Sequence, residues 1–279
     1  MEKPIYSTAP LPFQGQKRKF LKEVRTALCE FNPSGEITTI VDLFGGSGLL
    51  AHTAKRYMPQ CRVIYNDYDN FSQRLENVDK TNDLLAGIRE ILADEPRKVA
   101  IKHDKRAEIL ALIKTADQAG FVDYITLSSS LLFSQCYVLN YQELEKAGFY
   151  NRVRKDDYVV AGYLDGLEVL RKDYKVLFEE FRGRRDVLFL VDPPYLSTDT
   201  STYNSDKYWR LKDYLDVLHV VTNDNYVYFT SNKSQIVELL DWFAENYGYR
   251  TPFSDAVVKT NQVRGKVIDY TDIMLYKKY

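Results

Sequence analysis

From Thr38 to Phe44 the chain reads TTIVDLF, an apolar run without alternation that ends in an aspartate and then in glycines. Such a run predicts a strand buried on both faces, as in a parallel sheet. After Gly45-Gly46-Ser47-Gly48 the period changes. Leu50, Ala54, Tyr57 and Met58 recur at helical spacing, and Pro59 closes the element. CRVIYNDYD, residues 61–69, reads as a second strand with an acidic end. Strand, glycine turn, helix and strand make a βαβ unit, whose crossover is expected to be right-handed.

Beyond Asn70 strand-like runs become scarce, and helical patterns such as NDLLAGIREILADE and RAEILALIKTADQAG dominate up to about Gly166. The sheet pattern resumes at DVLFLV (186–191) and NYVYFTSN (225–232), followed by an amphipathic helix in SQIVELLDWFAENYG; VIDYTDIMLYKK offers a last pair of strands or an antiparallel edge. The expected fold is an open α/β sheet, built from 1–69 and 167–279, interrupted by a mainly helical insert over 70–166.

With 279 residues, 45% hydrophobic and 28% charged, the chain can bury a sizeable core. No apolar run approaches the roughly 20 residues that cross a bilayer, and the N-terminal residues lack the basic start and apolar stretch of a secretory signal. No membrane association and a cytoplasmic location are therefore expected. Cys29, Cys61 and Cys136 have neither CxxC nor Cys/His metal spacing, so they read as reduced packing residues and no metal is expected. The net charge of −1 excludes a whole-protein attraction to polyanions. A nucleic-acid surface would have to be local, at 17–19 (KRK), 97–106 (RKVAIKHDKR), 152–155 (RVRK) or 182–185 (RGRR). Each patch alone reads as a solvated face or a helix end.

In an open α/β sheet the ligand crevice lies beyond the carboxyl ends of the strands. DLFGGSG, Asp42 to Gly48, sits at such an end. Its glycines permit a tight turn and a close backbone approach, and the following helix offers N-terminal N–H groups. Asp67 ends the next strand, where a carboxylate can accept from both hydroxyls of a ribose. A packing turn and a strand-end turn are the plain alternatives. No GxxxxGK[ST] follows the strand and GGSG is not GxGxxG, so a P-loop fails and a nicotinamide site is weakened. The adenosine ligand that suits the site is S-adenosylmethionine.

Asp192-Pro193-Pro194-Tyr195 ends another strand of the same sheet. A chance DPPY in a chain of this length is on the order of one in a thousand by average residue usage. Neither proline can continue a ladder, so the strand stops and a stiff loop presents a carboxylate, a proline carbonyl and a flat ring. Adenine N6 is a poor nucleophile because its lone pair is delocalised into the ring. Asp192 and the Pro193 carbonyl can each accept one of its N–H bonds and concentrate that lone pair toward an incoming methyl group, while Tyr195 stacks on the base. In duplex DNA the nucleotide must first be flipped out.

The order PLPFQGQKRKF, VDLFGGSG, YNDYD, helical insert, RKDYKVL, VDPPY, FTSN resembles the Dam-type adenine-N6 DNA methyltransferases of the alpha group, over nearly the whole chain. The resemblance implies a Rossmann-like S-adenosylmethionine-dependent methyltransferase fold with an inserted target-recognition subdomain, and double-stranded DNA as partner. It implies that Phe13 and Lys17 close over the methionine part of the cofactor. Asp42, Phe44, Gly45 and Gly48 would form the cofactor loop, Asp67 would hold the ribose, and Asp173 and Tyr174 the adenine. Asp192, Pro193, Pro194 and Tyr195 would be the catalytic loop. A cognate restriction endonuclease is a further partner such enzymes take. Two departures stand out: the double glycine before the lysine is here Gly15-Gln16-Lys17, and GFYNRVRKDD (148–157) stands where many relatives carry an FN-x-P block, so no DNA-reading residue carries over. Related loops serve cytosine N4, RNA adenine and protein glutamine, all planar amines; cytosine C5 transfer is disfavoured, because it needs a cysteine nucleophile that usually follows proline and no Pro-Cys occurs. A catalytically inactive nucleic-acid or cofactor-binding relative and a dehydrogenase-like nucleotide binder are the readings from other classes.

Overall fold

The computed structural model describes residues 5–133, 136–195, 209–264 and 269–279. It divides into two compact units, one comprising 1–8, 15–69 and 163–279, the other 9–14 and 70–162.

Among the described residues the first unit holds a seven-stranded sheet of β1 (Thr39–Asp42), β2 (Arg62–Asn66), β3 (Glu168–Leu170), β4 (Val187–Val191), β5 (Asn225–Ser231), β6 (Val257–Val263) and β7 (Tyr270–Lys277), in the order β3-β2-β1-β4-β5-β7-β6. The first five strands run parallel, and β7 lies antiparallel to both β5 and β6. This is a Rossmann-like open α/β sheet with an antiparallel edge. The continuous apolar runs become β1, β4 and β5, each buried along its whole length, because a parallel sheet is covered on both faces.

Side-chain alternation divides the core in two. Ile40, Val63, Tyr65, Leu188, Leu190, Val227, Phe229 and Met274 pack with the helices Leu21–Phe31 and Leu49–Tyr57. Val41, Ile64, Val187, Phe189, Tyr226, Tyr228 and Leu275 pack with the helix Tyr174–Phe181 and with Val217 to Val221. Tyr57, expected on the apolar stripe of its helix, is instead exposed and holds the guanidinium of Arg25 at 2.8 Å through its hydroxyl. The C-terminal run supplies one strand, β7, with Val267 and Ile268 outside the described residues. Its partner β6 was not visible in the sequence: VVKTNQV is an edge strand, half-exposed and largely polar, and needs no apolar run.

The second unit is mainly helical, with helices Phe71–Glu76, Val78–Ile91, His103–Ala119, Tyr124–Leu131 and Tyr141–Lys146 around a core of Leu85, Ile88, Ile109, Ile113, Leu127 and Leu144. It also includes 9–14, which the sequence reading left with the sheet. The reason is a buried cation: Arg74 pairs with Asp123 at 3.0 Å and donates to the Pro12 carbonyl at 2.8 Å, while Phe13 packs edge-on against Phe71. The basic stretch 97–106 is largely committed internally. Lys102 pairs with Glu95, Lys105 with Asp94, and Arg106 donates to the carbonyls of Glu145 and Ala147. In the first unit Arg182 and Arg184 pair with Glu179 and Asp186, the solvated-face reading of that patch. No helix among the described residues is long and apolar enough to cross a membrane.

Candidate active site

Register alone places the acidic strand ends side by side. Asp42 of β1 is level with Tyr65 of β2 and Leu190 of β4, so Asp67 and Asp192, each two residues further on, flank it. The backbone fixes these ends: the Asp67 N–H donates to the Leu170 carbonyl at 2.8 Å, and the Leu43 N–H to the Leu190 carbonyl at 3.1 Å. Asn66, fully buried, ties them together: its amide donates to the carbonyls of Leu43 and Lys172 and accepts from the Lys172 N–H.

The Lys17 ammonium lies 2.6 Å from Asp192 Oδ2, donates to the Gly15 carbonyl at 2.8 Å, and sits 5.1 Å from the Tyr195 ring centre and 5.9 Å from that of Phe229. The second oxygen of Asp192, Oδ1, is buried and has no hydrogen-bond partner among the described residues. Burial raises the Asp192 carboxyl above its ordinary pKa, against the pull of Lys17. Asp42 is wholly buried, and neither of its oxygens has a partner at full hydrogen-bond geometry among the described residues. Burial first, and then the negative charge of Asp192, push its pKa up to about 8, although the amides of Ala51 and Phe44 and the Lys17 charge pull the other way. A buried and a half-buried carboxyl with buried acceptor atoms left over among the described residues, beside the Lys17 ammonium, form a site suited to receiving N–H groups and positive charge.

The glycine loop is shaped by two tyrosines. A Cβ on Gly45 would stand 2.3 Å from the Tyr65 ring and 2.8 Å from the Asn66 carbonyl oxygen, so no larger residue fits. The Tyr65 hydroxyl lies 2.7 Å from the Gly46 carbonyl and 3.0 Å from Asp67 Oδ1. The Tyr163 hydroxyl donates to the next carbonyl, that of Ser47, at 2.8 Å. Gly48, at φ +72°, leads into the helix Leu49–Tyr57. On that helix His52 stacks on Tyr163 at 4.9 Å, and its ring nitrogens bond the Tyr163 carbonyl and the Tyr6 N–H.

Phe44 and Tyr174 meet at 4.7 Å between ring centres, and Trp209 packs on both. Tyr214 joins the cluster through Trp209, and its hydroxyl donates to the Tyr195 carbonyl at 3.3 Å. Asp173 caps the helix that Tyr174 opens, accepting the Lys175 N–H at 2.8 Å. Lys17, Asp42, Phe44, Gly45, Gly48, Asp67, Asp173, Tyr174 and Asp192 to Tyr195 thus all belong to the unit that holds the sheet. Phe13 belongs to the helical unit. Among the described residues no group of three or more His, Cys, Asp or Glu could hold a metal ion.

Residues 13–214 match the D12 class N6 adenine-specific DNA methyltransferase family. The chain belongs to that family. A D12-class chain is a methyltransferase, and the glycine loop, the DPPY loop and the sheet edge between them all lie within the matched span. A protein of Haemophilus influenzae (strain ATCC 51907 / DSM 11121 / KW20 / Rd) named "Putative methyltransferase" is 38% identical over 282 residues, covering 99% of this chain and 94% of that one. A solved structure, precorrin-6y C5,15-methyltransferase from Geobacter metallireducens GS-15, aligns over the full length of both chains at 9% identity with a TM-score of 0.37, too distant to carry an argument.

Several residues of this D12-class site escaped sequence reasoning. Tyr65 had a usable signal, since a residue two before Asp67 on the same strand faces the same side. Phe229 and Asp272 stand beyond the matched span, on β5 and β7. Asp272 is paired with Ser231 across the ladder; burial raises its pKa against the pull of Lys17, and its charge adds to the burial that raises Asp192. Tyr163 and Trp209 carry no local signature, because their roles depend on loops that return to the sheet from far along the chain.

Proposed function

We propose that the chain transfers a methyl group from S-adenosylmethionine to the N6 amine of an adenine flipped out of double-stranded DNA. The observation that carries this reading is Asp192 Oδ1: a buried acceptor with no partner among the described residues, on a proline-stiffened loop beside Tyr195 and next to the glycine loop's strand. The residues present fit the cofactor. Asp42 offers two buried oxygens without hydrogen-bond partners among the described residues, at the strand end that leads into the glycine loop. When bound, S-adenosylmethionine supplies a methyl group made electrophilic by its sulfonium sulfur.

The chain's residues do the rest. Asp67 accepts from the ribose hydroxyls, the glycine loop admits the cofactor close to the backbone, and Phe44 and Tyr174 pack the adenine, with Asp173 beside them. Phe13 and Lys17 belong to the segment that closes over the methionine part. Asp192 and the Pro193 carbonyl accept the two N–H bonds of the target amine, and Tyr195 stacks on the target ring. Lys17 releases Asp192 Oδ2 as the amine arrives. Residues 1–69 and 167–279 carry the chemistry, and the helical section 70–166 holds the duplex by phosphate and base-edge contacts.

Incubating the protein with methyl-labelled S-adenosylmethionine and duplex DNA of varied sequence tests this. Label recovered as N6-methyladenine supports it. No label in any DNA refutes it, and label in cytosine or RNA reassigns the acceptor while keeping the transfer. Sequencing methylated DNA from cells expressing the protein then reports base and context together.

A further inference from the structure

Tyr65 stands between two parts of the proposed cofactor site that the chain otherwise builds from separate elements. Its ring is fully buried and wedged against Gly45 and Gly48, so the hydroxyl is aimed at one place. Two acceptors await it there: the Gly46 carbonyl at 2.7 Å and Asp67 Oδ1 at 3.0 Å. Burial, reinforced by the neighbouring Asp67, holds the phenol well above its ordinary pKa, so it acts as a donor with its proton in place. A phenol carries one proton and can make one full-strength donation at a time. The proton is therefore divided between the glycine loop and the residue assigned to the ribose.

We propose that Tyr65 is a positioning residue that couples ribose recognition at Asp67 to tightening of the glycine loop. When ribose hydroxyls donate to Asp67, the Tyr65 O–H is released from the carboxylate and donates fully to the Gly46 carbonyl, fixing the Gly46–Gly48 turn. An adenosyl ligand with its complete ribose thus firms the loop, and one lacking a hydroxyl does so less. Tyr163 performs the static half of the task, since its hydroxyl donates to the Ser47 carbonyl at 2.8 Å, one residue further along the loop. The inference rests on the reading of Asp67 as ribose ligand.

Amide hydrogen exchange at Ser47 and Gly48 tests it in the full chain, measured free, with saturating S-adenosylhomocysteine, and with its 2′-deoxyribose analogue. In the unaltered protein the complete ligand should slow exchange about fivefold more than the analogue, the size of one neutral hydrogen bond. Tyr65→Phe, which keeps the ring wedge, should abolish that difference, with both ligands slowing exchange equally. Tyr163→Phe should raise exchange throughout and leave the difference intact, which a purely structural role for Tyr65 would not distinguish. Asp67→Ala should slow exchange in the ligand-free protein, because the proton then goes wholly to Gly46; this arm decides the matter if Tyr65→Phe does not fold. A ligand difference that survives Tyr65→Phe, or a ligand-free loop unchanged by Asp67→Ala, overturns the coupling. If neither ligand binds, or if Asp67→Ala binds both with unaltered affinity, the ribose reading has failed and the coupling falls with it. If affinity discriminates the hydroxyl through Asp67 while the loop difference ignores Tyr65, the coupling alone has failed.

Discussion

Replacing Asp42 by asparagine should make the ligand-free protein more stable at neutral pH. The carboxyl titrates at about 8 in the folded protein against an ordinary value of 3.8. The folded state therefore holds a proton that the unfolded chain has already released across the window from about 4 to 8. A raised carboxyl pKa opposes folding. The penalty is absent below pH 4, grows as pH rises, and levels off above 8, at about 1.4 kcal/mol per pH unit within the window. At pH 7 this comes to about 4 kcal/mol as an upper bound, because entering water and the nearby Lys17 relieve part of it. An asparagine has no charge to bury and still offers an acceptor toward the Phe44 and Ala51 amides, so Asp42→Asn should gain about 1–4 kcal/mol at pH 7. Urea denaturation at pH 5, 6, 7 and 8 measures it: the unaltered protein should lose stability between pH 5 and 8, and the variant should follow a flatter course. Parallel pH profiles, or a variant less stable at every pH, would refute the assignment of Asp42 as a buried, charge-penalised carboxyl.

The same carboxyl should make S-adenosylmethionine binding tighten as pH rises from 6 to 8, by up to about tenfold per unit, because a cationic ligand favours the ionised form; calorimetry in buffers of differing ionisation heat should register proton release that Asp42→Asn removes. Asp192→Ala should lower methyl transfer by at least about a thousandfold through loss of the amine acceptor, while equilibrium dialysis shows cofactor affinity changed only a few-fold. Gly45→Ala drives a methyl group into the Tyr65 ring and should cost about 1–3 kcal/mol of stability, seen as a lowered unfolding midpoint together with weakened cofactor binding. Arg74→Met strands the buried Asp123 carboxylate and should cost about 3–5 kcal/mol, with exchange protection lost first in the helical unit.

The strand cores and the three acidic strand ends were legible because each depends on local pattern: an unbroken apolar run, a glycine turn, a proline stop. Their neighbourhood was legible too, since a parallel sheet brings carboxyl ends to one edge. What stayed hidden depends on partners distant in sequence. The short β3 and the polar edge strand β6 exist because a neighbour offers a ladder, and nothing in their own composition demands it. The place of 9–14 with the helices depends on Arg74 reaching the Pro12 carbonyl, a contact 62 residues apart. Asp173, which the resemblance assigns to the cofactor adenine, also caps the helix that Tyr174 opens.

That hexapeptide bears on how such a chain could diversify. The polypeptide passes between its two units four times, at 8/9, 14/15, 69/70 and 162/163. A recombination event that exchanged 70–162 alone would give the new helices a hexapeptide selected for the old ones, with Arg74's acceptor and Phe71's ring partner supplied by the wrong parent. The helices can thus drift by point substitution, whereas wholesale exchange by shuffling or by an engineer's graft has to move two pieces of gene together.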